Sequence, residues 1–132
     1  MKALILASAV AGLTALTACS TNMESESATS KAPAARVVGD PRACIPINQI
    51  NESTVHDNQT IDFRVGGQTY RNTLPLSCPS LGFEKSFTYK TSLSQLCNTD
   101  VIFVLRNTAG SLERGAGCGL GMFIPVELEK TR

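Results

Sequence analysis

The alternation of hydrophobic and polar residues is strictest on either side of the Gly66-Gly67 pair. Residues 61–65 alternate between apolar and polar side chains, and residues 68–74 form a second extended run after the glycines. A two-glycine link between two such runs is typical of a tight β-hairpin turn, because that turn needs positive φ angles. The pattern therefore predicts a hairpin of two strands joined by these glycines.

The register of this predicted hairpin pairs side chains that suit each other. Counting outward from the glycines places Phe63 opposite Tyr70 on one face and Asp62 opposite Arg71 on the other. Aromatic pairs and pairs of opposite charge both stabilise neighbouring strands. We therefore expect an Asp62–Arg71 ion pair on a solvated face of the sheet.

Further segments have the pattern of β-strands, namely residues 52–56, 83–90, 101–105 and 122–128. The continuous apolar run 101–105 predicts a strand that is buried on both faces. Pro125 predicts an edge position or a bulge in the last strand, because proline cannot donate a backbone hydrogen bond. A helical turn or an irregular segment is expected at 47–50 and a short helical turn at 91–97. A long polar and glycine-rich connection is expected at 106–121.

Five or six short strands with few helical segments predict an all-β fold. A small five- to six-stranded barrel or sandwich, of the OB or SH3-like kind, fits the length of the chain. The chain contains no Trp and only seven other aromatic residues, five Phe and two Tyr, so its core must consist mostly of aliphatic side chains.

The N-terminus has the pattern of a bacterial lipoprotein signal peptide. The basic Met1-Lys2 start precedes about 14 mostly apolar residues, fewer than the roughly 20 that span a bilayer as a helix. Leu16-Thr17-Ala18-Cys19 follows and resembles the lipobox, in which the cysteine is acylated and becomes the first residue of the mature chain. We therefore predict a signal peptide over residues 1–18 and attachment of fatty acids such as palmitate at Cys19. The alternative is an ordinary signal peptide with a chance cysteine.

The residues after the lipobox predict the location and the organisation of the mature chain. Ser20 stands where an Asp would resemble an inner-membrane retention signal, so we expect an outer-membrane protein that faces the periplasm. Several acyl chains on one cysteine anchor a protein firmly. Residues 19–43 are rich in Ser, Thr, Ala and Glu, a composition that favours disorder and predicts a flexible tether. Residues 44–132 then form the small β domain.

The charge of the mature chain is balanced. Of 12 basic residues Lys2 is removed with the signal peptide, which leaves 11 against 11 acidic residues. No basic block or stripe is present, so the chain lacks the electrostatic signature of nucleic-acid binding. We expect no nucleic-acid partner.

Four cysteines remain for the folded domain. An even number of cysteines in an exported chain predicts disulfides, and three pairings are open to four cysteines. We favour Cys78–Cys97 with Cys44–Cys118, because the first would enclose one predicted strand and the second would tie the ends of the domain together. The cysteines form no close pair, and the lone His56 lies near none of them in sequence, so we expect no metal and no cofactor.

Candidate catalytic groups are few. Ser53, His56 and Asp57 are neighbours in sequence, whereas the members of a catalytic triad normally come from separate elements. We therefore expect His56 to be an exposed residue beside a turn. The carboxylates that could serve glycoside hydrolysis by chemistry alone are Asp57, Asp62, Glu84, Asp100, Glu113 and Glu127.

The glycine-rich segment 115–121 lacks both the Lys-Ser/Thr of a phosphate loop and the third glycine of a dinucleotide-binding loop. We expect its glycines to let the backbone approach a disulfide and turn into the last strand.

Several sequence blocks between residues 44 and 126 resemble one family. The blocks are Cys44-Ile45-Pro46-Ile47-Asn48-Gln49-Ile50, Thr60-Ile61-Asp62-Phe63, Tyr70-Arg71-Asn72-Thr73-Leu74, Cys78-Pro79-Ser80-Leu81-Gly82-Phe83 and Ser94-Gln95-Leu96-Cys97. They are similar to a group of proteobacterial lipoproteins catalogued as a domain of unknown function. The resemblance implies a small secreted domain that contains cysteines. The family has no established activity, so the resemblance implies no catalytic residue.

Together these patterns predict an envelope lipoprotein that binds a partner or has a structural accessory role and is not an enzyme. Its partners are expected to be the membrane, through the lipid anchor, and an envelope protein or a cell-wall component. The candidate contacts are Arg106, Glu113 and Arg114, in the long connection before Cys118. One alternative is a periplasmic inhibitor of a hydrolase such as lysozyme. Another is an enzyme of unknown type.

Overall fold

A computed structural model describes residues 30–91 and 93–130 of the chain. Within these residues the chain forms ten β-strands, one short helix α1 (Leu81–Glu84) and a 3-10 turn (Ile47–Gln49). The strands are β1 (Ala35–Val37), β2 (Cys44–Pro46), β3 (Ile50–Val55), β4 (Thr60–Val65), β5 (Gln68–Thr73), β6 (Phe87–Tyr89), β7 (Gln95–Cys97), β8 (Val101–Thr108), β9 (Ser111–Gly119) and β10 (Phe123–Leu128). The predicted all-β class is confirmed, and the lipid attachment predicted at Cys19 lies outside the described residues.

The largest sheet has five strands in the order β1-β10-β5-β4-β3, and every neighbouring pair is antiparallel. At its centre lies the predicted hairpin, in which Gly66 has a φ of 60°. The predicted register is confirmed, because Phe63 pairs with Tyr70 and Asp62 pairs with Arg71 across the two strands. Local alternation and turn chemistry therefore suffice to specify this part of the fold.

Two smaller sheets complete the architecture. One has the order β6-β8-β9 and the other pairs β2 with β7. Their buried residues join those of the five-stranded sheet in one hydrophobic core. Phe63 of the large sheet lies edge-on to Phe87 of the three-stranded sheet, with 6.0 Å between the ring centroids. Since none of the described sheets closes on itself, the structure is sandwich-like, and the barrel alternative is not adopted.

The two disulfides are present, but the pairing that we favoured from the sequence is wrong. Cys44 is bonded to Cys97 and Cys78 to Cys118. Strands β2 and β7 pair with each other, which places Cys44 directly opposite Cys97 with 4.0 Å between their Cα atoms. Because both strands are only three residues long, the sequence pattern gave no sign of their pairing.

Regular β-structure is present before the predicted domain boundary at residue 44. Residues 35–37 of the predicted tether form β1, which pairs with β10. Arg42 also forms a two-way backbone bridge with Phe123, with N–O distances of 2.8 Å in both directions. Polar composition suggested a tether, but backbone pairing with an open sheet edge requires no large apolar side chain.

Strand β10 is therefore not the edge that Pro125 predicted. The Pro125 carbonyl oxygen accepts a hydrogen bond from the Val38 N–H at 2.9 Å, so the proline nitrogen, which carries no hydrogen, faces the β1 side of the sheet. Because the proline nitrogen faces away from β5, the proline costs no hydrogen bond to this central strand.

The remaining differences from the predicted elements concern the second half of the chain. Residues 83–90 do not form one strand, since the first two end helix α1 and only Phe87–Tyr89 is extended. Residues 95–97 form strand β7 where a helical turn was predicted. The apolar run 101–105 is not buried on both faces, because its burial alternates. The long connection predicted at 106–121 is mostly strand, as described below.

Candidate functional site

The sequence neighbours Ser53, His56 and Asp57 do not form a catalytic triad. Ser53 lies on β3 opposite Phe63, and the Asp57 carboxylate accepts hydrogen bonds from backbone N–H groups at the start of the neighbouring turn and from the N-terminal segment. His56 is not the exposed residue that we expected, since its side chain is 14% accessible and directed at Asp62. The three side chains thus serve separate interactions.

His56, Asp62 and Arg71 form a compact ionic cluster on the outer face of the five-stranded sheet. Asp62 Oδ1 accepts from Arg71 Nε at 2.8 Å, and Asp62 Oδ2 accepts from Arg71 Nη2 at 3.0 Å. His56 Nε2 lies 2.8 Å from the same Oδ2 atom. The predicted Asp62–Arg71 pair is confirmed, but Asp62 is buried where a solvated position was expected. Charge-assisted bidentate bonds of this kind fix the two strands in register.

The other candidate carboxylates are spread over the fold and are not paired with one another. Glu113 lies near Arg106 at 3.7 Å, Glu127 bonds Arg36 at 2.8 Å, and Asp100 accepts from the Cys97 N–H at 2.7 Å. Across residues 30–91 and 93–130, no group of three or more His, Cys, Asp or Glu side chains is arranged to hold a metal ion.

The segment 30–34 crosses the outer face of the large sheet. At one end the Ser30 hydroxyl lies 3.3 Å from the Thr60 hydroxyl at the start of β4. At the other end the Ala34 carbonyl accepts from the Glu129 N–H at 2.9 Å, beyond the end of β10. Because these strand ends lie at opposite ends of the sheet, the segment must pass over β5 and β10.

Asp57 anchors this segment through its carboxylate. Burial alone would raise the pKa of Asp57, but hydrogen bonds from the Gln59 and Lys31 backbone N–H groups and from the Thr60 and Ser30 hydroxyls outweigh that effect. The pKa of Asp57 is therefore lower than its ordinary value of 3.8. The carboxylate form, which accepts from Lys31 N at 3.0 Å, holds the segment in place.

The most prominent feature of the surface is a hairpin formed by β8 and β9. Its turn lies at Ala109 and Gly110, which have φ angles of 50° and 86°. All residues from 106 to 114 are exposed, so none of the elements that the structure describes covers either face of this part of the hairpin. We call residues 106–114 the arm. Four residues per strand extend roughly 13 Å beyond the body of the domain.

The arm carries all three contact residues that the sequence predicted. Arg106 lies opposite Glu113, and Leu105 lies opposite Arg114. The Arg114 guanidinium stands over the Phe103 ring, 4.7 Å from its centroid, which is a cation–π arrangement. The prediction placed these residues in a loop, whereas the structure holds them at fixed positions on a two-stranded ribbon.

The arm also exposes Leu112, which the sequence analysis did not single out. Its side chain is 69% accessible, an unusual position for a large apolar residue on a small domain. The sequence predicts a loop in place of β9 because the glycines of this strand hide the alternation of side chains. The only sequence signal was the pairing of Glu113 with Arg106 across the Ala109-Gly110 turn.

A small apolar groove lies where β9 meets the second disulfide. It has a volume of about 230 Å³ and is lined by Pro75, Leu76, Ser77, Pro79, Gly117, Cys118 and Gly119. A larger and more polar depression of about 420 Å³ lies at the far end of β10, lined by Arg36, Glu127, Leu128, Glu129 and Lys130. Small-molecule sites are usually 300–1,000 Å³ and mostly apolar, so neither depression has the form of such a site.

Comparison of the chain with protein-family models, with curated proteins and with solved structures found no match. Among the residues that the structure describes, no helix has the length and apolar character needed to cross a membrane.

Proposed function

We propose that this protein is a lipid-anchored envelope protein that is not an enzyme and that presents a small β domain to another envelope protein. Acylation of Cys19 would attach the mature chain to the outer membrane on its periplasmic side. The resemblance of residues 44–126 to proteobacterial lipoproteins supports the same location. A cell-wall component remains the alternative partner.

The observation that carries the proposed binding role is the exposure of the arm. Its residues bury almost nothing within the domain, so the arm adds little to folding stability. A two-stranded ribbon in isolation is marginally stable in water, and binding a partner would offset that cost. Arg106, Leu112 and Arg114 combine charge and apolar surface, and arginine is enriched in protein interfaces.

The experiment uses the full chain at its natural level in its own envelope. A photoreactive residue at Glu113 is expected to give a discrete adduct with one protein, and the same residue at the exposed Glu52 on β3 provides the matched control. Labelling with a palmitate analogue is expected for the wild-type chain and not for Cys19→Ser. No label on the wild-type chain, or equal adducts from both positions, would contradict the proposal.

Inhibition of a hydrolase is a second candidate function, and the narrow end of the arm favours it. The turn at Ala109 and Gly110 is only two residues wide, and one arginine lies within five residues on each side of it, Arg106 before and Arg114 after. Such a tip could enter a cleft with catalytic carboxylates, as in glycosidases. Titration of the purified domain against lysozymes and proteases tests this function, and unchanged rates at excess domain would dismiss it.

A further inference from the structure

Strand β9 has one edge that pairs with β8 and one edge that pairs with no other strand among residues 30–91 and 93–130. The sheet order β6-β8-β9 puts β9 at the end of the three-stranded sheet. Among the described residues, no backbone hydrogen bond joins residues 111–119 to any element other than β8. An open edge of nine residues is long for a small protein. Proteins usually keep such edges short, because an open edge can pair with strands of other chains.

The direction of the free backbone groups follows from one hydrogen bond. The Leu105 N–H donates to the Ser86 carbonyl at 2.9 Å, so Leu105 directs its backbone groups away from β9. Arg114 is its partner across the ribbon, and its backbone groups must therefore point away from β8 toward the open edge. The same holds for Leu112, two residues earlier in the strand.

Beyond the bulge of the β8–β9 ribbon, two glycines occupy the corresponding positions. Thr88 pairs with Phe103 in the same alternation as Ser86 with Leu105, so Gly117, opposite Phe103, again points its backbone to the open edge. Gly119 is in the next such position, and no atom lies within 4 Å of the place where its Cβ would be. The face of the sheet beside Gly119 is therefore open, and the absence of side chains at both glycines removes bulk next to the edge.

The apolar groove adjoins these glycines. Leu76 and the two prolines of its loop form the wall of the groove opposite residues 117–119, and Leu76 is 80% accessible. At about 230 Å³ the groove suits an apolar side chain and not a whole small molecule. An extended segment that paired with β9 would bring alternate side chains to this wall.

The charges on β9 disfavour a second copy of this chain as the occupant. In an antiparallel pair of two β9 strands, residues whose backbone groups point outward must lie opposite each other. One register places Leu112 opposite Arg114, and another places Arg114 opposite Arg114 of the second copy. The first also opposes Glu113 to Glu113, and like charges directly opposite each other are destabilising. The register with Leu112 opposite itself overlaps only about five residues near the turn. The register with Leu112 opposite Gly119 leaves both Glu113 and Arg114 without an opposite charge across the pair.

We infer that the open edge of β9 binds an extended segment of a partner protein by β-strand addition. Opposite Arg114 the segment carries an acidic residue, opposite Glu113 a basic residue, and at the groove an apolar side chain. This inference rests on the proposed function, since it specifies how the envelope partner is held. Backbone pairing supplies the affinity, and the two charges with the Leu76 groove supply the selectivity.

The test uses proline to block one edge of the ribbon at a time. Leu112→Pro removes an outward N–H of β9 without removing a bond to β8, and proline is tolerated at such edge positions. Asn107→Pro does the same on the β8 edge, directly opposite Leu112. With the photoreactive residue at the exposed Ser111 in the native envelope, we expect Leu112→Pro to lower the adduct yield at least about fivefold. Asn107→Pro should retain it.

A second pair of variants tests the groove without touching the strand. Leu76→Ser is expected to lower the adduct yield, whereas Leu93→Ser, at a similarly exposed leucine, should not. Wild-type yield from both Leu112→Pro and Leu76→Ser would overturn strand addition and leave the proposed function standing. A wild-type adduct that consists of two copies of this chain would also overturn it. Failure of the wild-type chain to give any adduct would instead contradict the proposed function.

Synthetic octapeptides test the charges directly. One peptide places an acidic residue opposite Arg114 and a basic residue opposite Glu113, and the other exchanges the two. We expect the matched peptide to bind roughly threefold or more tightly, with the largest amide shifts at Leu112 and Arg114. Equal affinity of both peptides would refute the charge rule.

Discussion

The buried side chain of Asn72 on β5 holds both backbone groups of Gly121, a residue 49 positions later in the chain. Asn72 Nδ2 donates to the Gly121 carbonyl at 2.7 Å, and the Gly121 N–H donates to Asn72 Oδ1 at 2.8 Å. A Cβ on Gly121 would collide with the carbonyl oxygen of Thr73. The glycine thus lets the chain leave β9 and enter β10 at a fixed point against the central sheet.

Asn72→Ala is expected to destabilise the domain by about 2 kcal/mol, because it leaves the half-buried N–H and C=O of Gly121 without these partners. Urea unfolding of the oxidised domain measures the change. Asn107→Ala, at an exposed position of the arm, should change the free energy of unfolding by less than about 0.5 kcal/mol. Equal stability of the two variants would show that the Gly121 groups find other partners.

The disulfide pairing predicts a specific peptide map. Trypsin places each of the four domain cysteines on a separate peptide, namely residues 43–64, 72–85, 91–106 and 115–130. Without reduction, mass spectrometry should find the first joined to the third and the second joined to the fourth. Any other pairing would contradict the structure. The bonded cysteines are 53 and 40 positions apart in sequence. In the chain-entropy model each bridge therefore contributes about 4 kcal/mol to the free energy of unfolding.

The sequence predicted local structure well and long-range pairing poorly. The hairpin around Gly66 was correct because its register depends on a turn and on side chains within ten residues of each other. The partner of Cys44 is set by a strand pair of three residues each, which leaves no periodic pattern. Strand β1 was missed for a related reason, since its three residues are mostly exposed and only the backbone of β10 defines them.

The same difference between local and long-range features applies to the candidate site. Arg106, Glu113 and Arg114 could be singled out as exposed polar residues, and the Asp62–Arg71 pair followed from the hairpin register. The open edge of β9 could not be predicted, because it depends on which strand of the ribbon has no further neighbour. That property belongs to the sheet order and not to any residue.

Asp62→Asn should destabilise the domain by about 3 kcal/mol, because it leaves the largely buried guanidinium of Arg71 without its counter-ion. Chemical unfolding near neutral pH measures the loss. The exposed pair Arg36–Glu127 offers a matched control, and Glu127→Gln is expected to cost at most about 1 kcal/mol. Similar losses from both variants would mean that burial does not strengthen the Asp62 cluster.

The anchoring of segment 30–34 by Asp57 should depend on pH and weaken in acid. Because the pKa of Asp57 is lower in the folded chain than its ordinary 3.8, the carboxylate stabilises the fold above that pH. The stabilisation is lost as the pH falls through the lowered pKa. In an NMR titration the Lys31 amide should therefore shift with a midpoint below 3.8, and Asp57→Asn should abolish this titration. A midpoint above 3.8 would contradict the anchor.

The packing of the Phe103 ring on Gly117, at the base of the arm, can be tested by substitution. A Cβ on Gly117 would lie 2.9 Å from Phe103 Cε1, so Gly117→Ala must displace the ring from beneath the Arg114 guanidinium. Overpacking of this kind costs about 1–3 kcal/mol. Gly119→Ala, whose Cβ would meet no atom within 4 Å, should be nearly neutral. Adding Phe103→Leu to Gly117→Ala should recover most of the lost stability, because the smaller side chain leaves room for the methyl group. If urea unfolding found the two alanine variants equally stable, the ring would not lie on the glycine.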